Sequence, residues 1–273
     1  MHRTVFFISD RTGITVETLG HSLLSQFDDA EFEQINLPFV DNADKAKRAI
    51  EQVNDYARRS TEQPIVFSTL IDPTIRRSIE GGVQAAFFDF FEAFLGPLEK
   101  EFAMKSSHTV GRTHGMVDNT VYNVRVEAVN FALANDDGSV TKNYHQADLI
   151  VVGVSRSGKT PTCLYLALQF GIRAANYPLT EEDLQNSHLP AVLQPHRHKL
   201  YGLTINADRL QKIRHERRPD SPYSSLRQCQ YELRQAEAIF RAERVHHLNS
   251  TTMSIEEIAT TILAATGIKR RLY

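Results

Sequence analysis

Eight consecutive residues, Gly153-Val154-Ser155-Arg156-Ser157-Gly158-Lys159-Thr160, have the types and spacing of a phosphate-cradling loop, G-x-x-x-x-G-K-[ST]. The glycines let the backbone turn its N–H groups inward and approach phosphate oxygens without a Cβ in the way. Lys159 supplies a mobile cation for the terminal phosphates, and the Thr160 hydroxyl suits Mg²⁺. Arg156 adds an unusual second cation inside the loop, suited to the transferred phosphoryl group or an incoming phosphate. From average residue usage, such a match arises by chance about once in a hundred chains of this length. The flanks lower that further. Leu149–Val154 is a β-branched apolar run that reads as a buried strand, and Leu164 and Leu168 follow at helical spacing. The helix would point its positive N-terminal end at the anion, and Pro161 falls early enough to cost no hydrogen bond.

A second polar constellation lies upstream, in Val110–Gly138. Arg112 and Arg125 are candidates for phosphate binding, and His114 and Asp137 for proton transfer. On residue types alone a solvated loop with one capped helix fits equally well, and Asn135-Asp136-Asp137-Gly138 also reads as an ordinary turn.

The remaining elements must position these groups. Strands are expected at Thr4–Ser9, Phe32–Val40, Pro64–Ile71, Ile172–Asn176 and Lys199–Ile205, alternating with helices. That alternation predicts an α/β protein whose phosphate-loop domain has a mostly parallel sheet with helices on both faces, preceded by a second α/β domain. The polar Asn135–Gln146 segment is the expected boundary, giving domains 1–140 and 141–273. Ala43–Arg59 reads as a helix, and Ile75–Phe102 as one long helix. Its residues Phe87, Phe90, Phe91, Phe94 and Leu98 would line a core or subunit interface. Asp10 or Thr12 is expected to cap the first helix, with anion binding at that turn as the sharper option. Asp72-Pro73 reads as a turn rather than a magnesium site. Asp208–Arg218 carries Arg214, Arg217 and Arg218 as a basic stripe, read as a solvated face. Ser254 or Thr252 should cap a closing helix that begins at Ile255.

Composition narrows the function classes. The 273 residues carry 31 basic and 33 acidic side chains, a formal net charge of −2, which gives no pull toward nucleic acid or anionic membrane. The apolar start is too short for a signal peptide, and no stretch approaches a membrane span. Cys163 and Cys229 lack metal-ligand or redox spacing, so a reduced cytoplasm is the expected location. The paired histidines, His196 with His198 and His246 with His247, read as surface residues.

Beyond motifs, the chain resembles the regulatory proteins of phosphoenolpyruvate synthase (pyruvate, water dikinase), relatives of the pyruvate, phosphate dikinase regulators. The resemblance covers nearly the whole chain. It rests on Phe7–Asp10 with Thr12-Gly13, Leu37–Val40, Arg112–Gly115, Asn135–Gly138 and above all GVSRSGKTPT at 153–162. It continues through QFGIRAANYP at 169–178, Gly202–Ile205, Ser224–Cys229 and Asn249–Thr251. The Gly158-Lys159 pair is similar to the phosphoenolpyruvate synthase branch, while Gly111 stands where a histidine is expected. The resemblance implies a bifunctional, ADP-dependent Ser/Thr kinase and phosphate-dependent, pyrophosphate-forming phosphorylase. Its target would be a threonine near the catalytic histidine of the synthase. It implies ADP, inorganic phosphate and Mg²⁺ as the small molecules, and phosphoenolpyruvate synthase as partner. The assembly is left open, with a homodimer as the candidate. Two alternatives remain from the residues: a P-loop kinase for a small metabolite, and a nucleotide-sensing regulator without catalysis. A GTPase is disfavoured, because no Asn-Lys-x-Asp tetrapeptide follows the loop.

Overall fold

The computed structural model describes residues 2–107, 119–138, 140–186 and 188–272. The chain divides into two compact units, Met1–Gly115 and Met116–Tyr273. Each described unit is an α/β layer structure on four parallel strands flanked by helices, the architecture expected from the βα alternation.

The first unit runs β1 (His2–Ser9), α1 (Ile14–Leu24), β2 (Glu31–Leu37), α2 (Ala43–Arg59), β3 (Ile65–Thr69), α3 (Pro73–Gly82), β4 (Ala86–Asp89) and α4 (Phe90–Phe102). Its strand order is β2-β1-β3-β4. Strand pleating sorts the apolar run of β1 to both faces. Phe6 and Ile8 pack with Ala46, Val53 and Ile79 of α2 and α3, whereas Val5 and Phe7 pack with Val16 and Leu24 of α1.

Three expectations are corrected here. Ile75–Phe102 is not one helix: α3 ends at Gly81-Gly82, Ala86–Asp89 pairs in parallel with β3, and Asp89 then caps α4 by accepting the Glu92 N–H at 2.8 Å. The phenylalanines therefore form no single core-facing stripe. Phe90 is buried, but Phe94 is 64% exposed. The start of α1 is not capped by Asp10 or Thr12, because its cap is Gly13 in the left-handed region with no side-chain bond. Asp10 is instead buried, accepting the Ile71 N–H at 3.2 Å, and burial pushes its carboxyl group above the usual range. At the Asp72-Pro73 turn, Asp72 caps α3, accepting the Thr74 N–H at 2.7 Å.

The described part of the second unit begins with α5 (Asn119–Ala134), in keeping with the reading of Val110–Gly138 that included a helix. It continues with β5 (Leu149–Gly153), α6 (Lys159–Phe170), β6 (Ala174–Pro178), α7 (Glu181–Gln185), β7 (Leu200–Thr204), α8 (Ala207–Arg217), α9 (Leu226–Ala242), β8 (His247–Asn249) and α10 (Ile255–Thr266). The division at 115/116 lies upstream of the expected boundary at 140. Ala128 and Ala132 of α5 pack on Ala167 of α6, and Asn135 and Tyr144 of the polar segment are buried.

Strand order is β6-β5-β7-β8. Leu149 and Val151 face α6 and α10, while Ile150 and Val152 face α8 and α9. Both faces are covered, which is why β5 reads as a continuous apolar run. The chain leaves β5 for β6 on one side, and β7 lies on the other. The carboxyl end of β5 is therefore a topological switch point, where ligands enter folds of this kind. The 153–160 loop leaves the sheet there.

Helix α10 packs Ile258 and Ile262 against Cys163 and Leu166 of α6. It starts in a capping box: the Ser254 hydroxyl accepts the Glu257 N–H at 3.2 Å, and Glu257 accepts the Ser254 N–H at 2.7 Å. Ser254→Ala should therefore destabilise the protein by about 1 kcal/mol, read as a lowered urea midpoint at unchanged slope.

Candidate active site

Each glycine of the loop has its own physical reason. Gly153 closes β5 beside β7, and a Cβ there would lie 2.4 Å from the Leu203 carbonyl oxygen and 2.8 Å from the Ser157 hydroxyl. Gly158 meets nothing in space but takes φ +95°, which L residues rarely adopt. Arg156 also sits in the left-handed region, at φ +73°, with its side chain exposed. A non-glycine residue held there costs on the order of 1 kcal/mol or more, so the surroundings must impose it.

Helix α6 starts at Lys159 with no side chain capping it, which leaves its first-turn amides for another acceptor. Lys159 is buried, with its Nζ donating to the Val154 carbonyl oxygen across the loop at 3.0 Å. Burial lowers its pKa to about 8, partly offset by the charge of Asp137. The Ser157 hydroxyl is buried without a partner among the described residues.

Across from the loop stands the turn after α5. The Thr160 hydroxyl donates to Asp136 Oδ1 at 2.8 Å. Asn176 of β6 donates from Nδ2 to the same carboxylate and accepts the Asp137 N–H on Oδ1 at 3.0 Å. Asp137 itself is exposed, at φ +50°. One buried asparagine thus holds both acids of Asp136-Asp137 against the start of α6. Asp136 and Asn176 were not singled out from sequence as site residues. The spacing that joins them to Thr160 spans three elements and is invisible along the chain.

The oxygen donors suit a hard cation. Mg²⁺ keeps several waters and needs only one or two protein oxygens beside phosphate oxygens. A hydroxyl and a carboxylate in contact, Thr160 and Asp136, meet that requirement without a three-carboxylate cage.

The structure brings Gly153–Thr160 and Asp137 into one locale in the second unit. Arg125 lies on α5, half-buried, with its Nε lacking a partner among the described residues. Arg112 and His114 lie outside the described residues. The basic stripe on α8 is corrected at one position. Arg217 and Arg218 are exposed, but Arg214 is fully buried and paired with Glu232 at 2.6 Å. Of the paired histidines, His198, His246 and His247 are exposed and His196 is half-buried. No helix among the described residues is long and apolar enough to cross a membrane.

A parallel α/β sheet with a G-x-x-x-x-G-K-T loop at its switch point, faced by two aspartates, defines the frame of a phosphoryl-handling protein. Residues 5–263 match the family described as kinase/pyrophosphorylase, and the chain belongs to that family of phosphotransferases. It is 58% identical over 271 residues to a protein of Alkalilimnicola ehrlichii, covering 99% of this chain and 98% of that one. It is 53% identical over 271 residues to one of Pseudomonas putida, covering 99% of each chain. The identity to one of Legionella pneumophila is 51% over 272 residues, covering 100% of each. All three carry, as an inferred name, phosphoenolpyruvate synthase regulatory protein.

Two outcomes are expected at this site. Gly153→Ala should cost about 1–3 kcal/mol by overpacking, because the obstructing atom is backbone, measured by urea denaturation. Affinity for inorganic pyrophosphate should fall as pH rises through about 8, where Lys159 loses its charge in the free protein. Calorimetry in buffers of different ionisation enthalpy should record proton uptake on binding above that pH. Lys159→Met should abolish that uptake.

Proposed function

We propose that this protein is an ADP-dependent Ser/Thr kinase and a phosphate-dependent phosphorylase that switches phosphoenolpyruvate synthase off and on. The target group is a threonine beside the catalytic histidine of the synthase. The observation that carries the reading is the pairing of Thr160 with Asp136 at the uncapped start of α6, with Asp137 on the same turn. Family membership and the names of the relatives support the direction of the chemistry and its partner.

In the kinase direction the threonine hydroxyl oxygen attacks the β-phosphorus of ADP. The bond from that phosphorus to the bridging oxygen breaks, AMP leaves, and the threonine proton passes to Asp137. In the phosphorylase direction an oxygen of inorganic phosphate attacks the phosphothreonine phosphorus, and the bond from that phosphorus to the threonine oxygen breaks. A proton from the phosphate passes by way of Asp137 to that oxygen, and pyrophosphate leaves. Phosphoryl transfer asks mainly for positioning and charge neutralisation. The loop amides cradle the phosphates, Lys159 exchanges its bond to the Val154 carbonyl for a phosphate oxygen, and Arg156 reaches the transferred group. Thr160 and Asp136 would hold Mg²⁺, which when bound neutralises charge on the phosphate oxygens. Asp137 is exposed at the mouth of the site, where a protein substrate has access. The reading places the reaction in the cytoplasm.

The deciding experiment is phosphotransfer from β-labelled ADP to purified phosphoenolpyruvate synthase carrying its phosphohistidine, with γ-labelled ATP in parallel. Label on a threonine from ADP, released as pyrophosphate when phosphate is added, is the expected result. Label from ATP alone would favour a conventional kinase, and no label from either a non-catalytic nucleotide sensor. Arg156→Ala should cut turnover about a hundredfold or more in both directions while leaving nucleotide binding largely intact. Unchanged rates would remove Arg156 from the mechanism. Asp137→Asn should cut both rates by about 10²–10⁴. If it does not, His114 is the candidate to substitute next.

A further inference from the structure

We propose that Arg214, with Tyr223 and Glu232, is a positioning unit for the phosphate loop, aiming the Arg156 backbone N–H at the bound phosphates. The proposal rests on the reading of 153–160 as a phosphate site, and it gives a task to Tyr223 and Glu232, on either side of the Ser224–Cys229 segment, that phosphoryl chemistry leaves unused.

Arg214 is the largest fully buried side chain among the described residues. Its Nη2 donates to the Ser155 carbonyl oxygen at 3.1 Å and to Glu232 Oε2 at 2.6 Å. Its Nη1 donates to the Tyr223 carbonyl oxygen at 3.2 Å, and the guanidinium lies 4.2 Å over the Tyr223 ring. The Tyr223 hydroxyl in turn meets the Ser155 hydroxyl at 2.9 Å. Ser155 is thus held twice, by its carbonyl and by its side chain, from α8 and the segment before α9. On the opposite flank the Ser250 hydroxyl donates to the Ser157 carbonyl oxygen at 3.1 Å and to the Thr204 carbonyl oxygen at 3.0 Å.

The consequence follows from peptide geometry. In a planar trans peptide the C=O and the following N–H point in opposite directions. Tying the Ser155 carbonyl to a guanidinium in the core turns the Arg156 N–H away from the core. Tying the Ser157 carbonyl to Ser250 does the same for the Gly158 N–H. The grip on Ser155 also accounts for φ +73° at Arg156, a conformation a free loop would leave. Arginine suits the task and lysine does not. A planar fork can reach two carbonyls and a carboxylate at fixed angles, whereas an ammonium is a point charge.

Two variants test this: Arg214→Lys, which keeps a charge beside Glu232, and Tyr223→Phe, which removes only the hydroxyl bond to Ser155. Binding of ADP and of inorganic pyrophosphate is measured by calorimetry on the full chain, beside melting temperature and with Lys159→Ala as the loop control. The expected result is a fall in pyrophosphate affinity of about tenfold or more for Arg214→Lys and severalfold for Tyr223→Phe. Melting temperatures should stay within a few degrees of wild type. A merely structural charge pair would be rescued by lysine and indifferent to the tyrosine hydroxyl. Wild-type affinity in both variants, with Lys159→Ala impaired, overturns the positioning role and leaves the phosphate site standing. Should Arg214→Lys fail to fold, unchanged affinity in Tyr223→Phe overturns it equally. Failure of wild type to bind either anion, or full binding by Lys159→Ala, overturns the phosphate-site reading and the positioning role with it.

Discussion

The direction in which a few peptide units face, between Gly153 and Gly158, is the constraint on which the second unit depends. A loop that binds anions through its amides must keep those amides from being satisfied by its own protein, while every buried carbonyl still finds a donor. Two of the donors come from outside the loop: Arg214 takes the Ser155 carbonyl and Ser250 that of Ser157. Inside the loop, Lys159 and the Ser157 N–H share the Val154 carbonyl. The close approach of β5 to β7 at Gly153 sets where the loop starts, and the uncapped first turn of α6 sets where it ends.

Two buried cations serve this loop and are handled in opposite ways. Arg214 loses solvation, but its hydrogen bond and charge pairing with Glu232 outweigh that loss and hold its proton above the ordinary arginine range. Breaking such a pair would leave a bare buried charge, so the arrangement is fixed. Lys159 has a neutral carbonyl as its hydrogen-bond acceptor, and burial brings its pKa down to about 8. It is the group that would gain most from an arriving phosphate. With a fixed cation behind the loop and an underpaired one inside it, the proposed site would separate the work of shaping from the work of binding.

The opposite wall obeys the same logic at lower cost. Asn176 is buried in the middle of β6, where an amide must find partners, and it finds them in the turn that carries Asp136 and Asp137. Tyr144 adds a bond from its hydroxyl to the Asn176 carbonyl at 3.0 Å. The acids are thereby held by the sheet rather than by each other, and Asp137 stays exposed.

Much of this was legible in the residues themselves. Local patterns are short in sequence, so the G-x-x-x-x-G-K-T loop, the apolar run of β5, the helix Ala43–Arg59 and the Ser254 cap follow from neighbours within a few positions. The parallel α/β class follows from alternation alone. Where the reading failed, distant partners decided. Ala86–Asp89 looked helical until β3 supplied a ladder, and Asp10 looked like a cap until the Ile71 amide, 61 residues away, claimed it. Arg214 shares an outwardly basic helix with Arg217 and Arg218, and only its hydrogen bond to Ser155, 59 positions distant, marks it as interior. Sequence determined which residues could bind phosphate and the class of fold that presents them. Tertiary structure alone decided which carbonyls are tied back and which amides are left free, because burial and hydrogen-bond pairing belong to positions in space and not to positions along the chain.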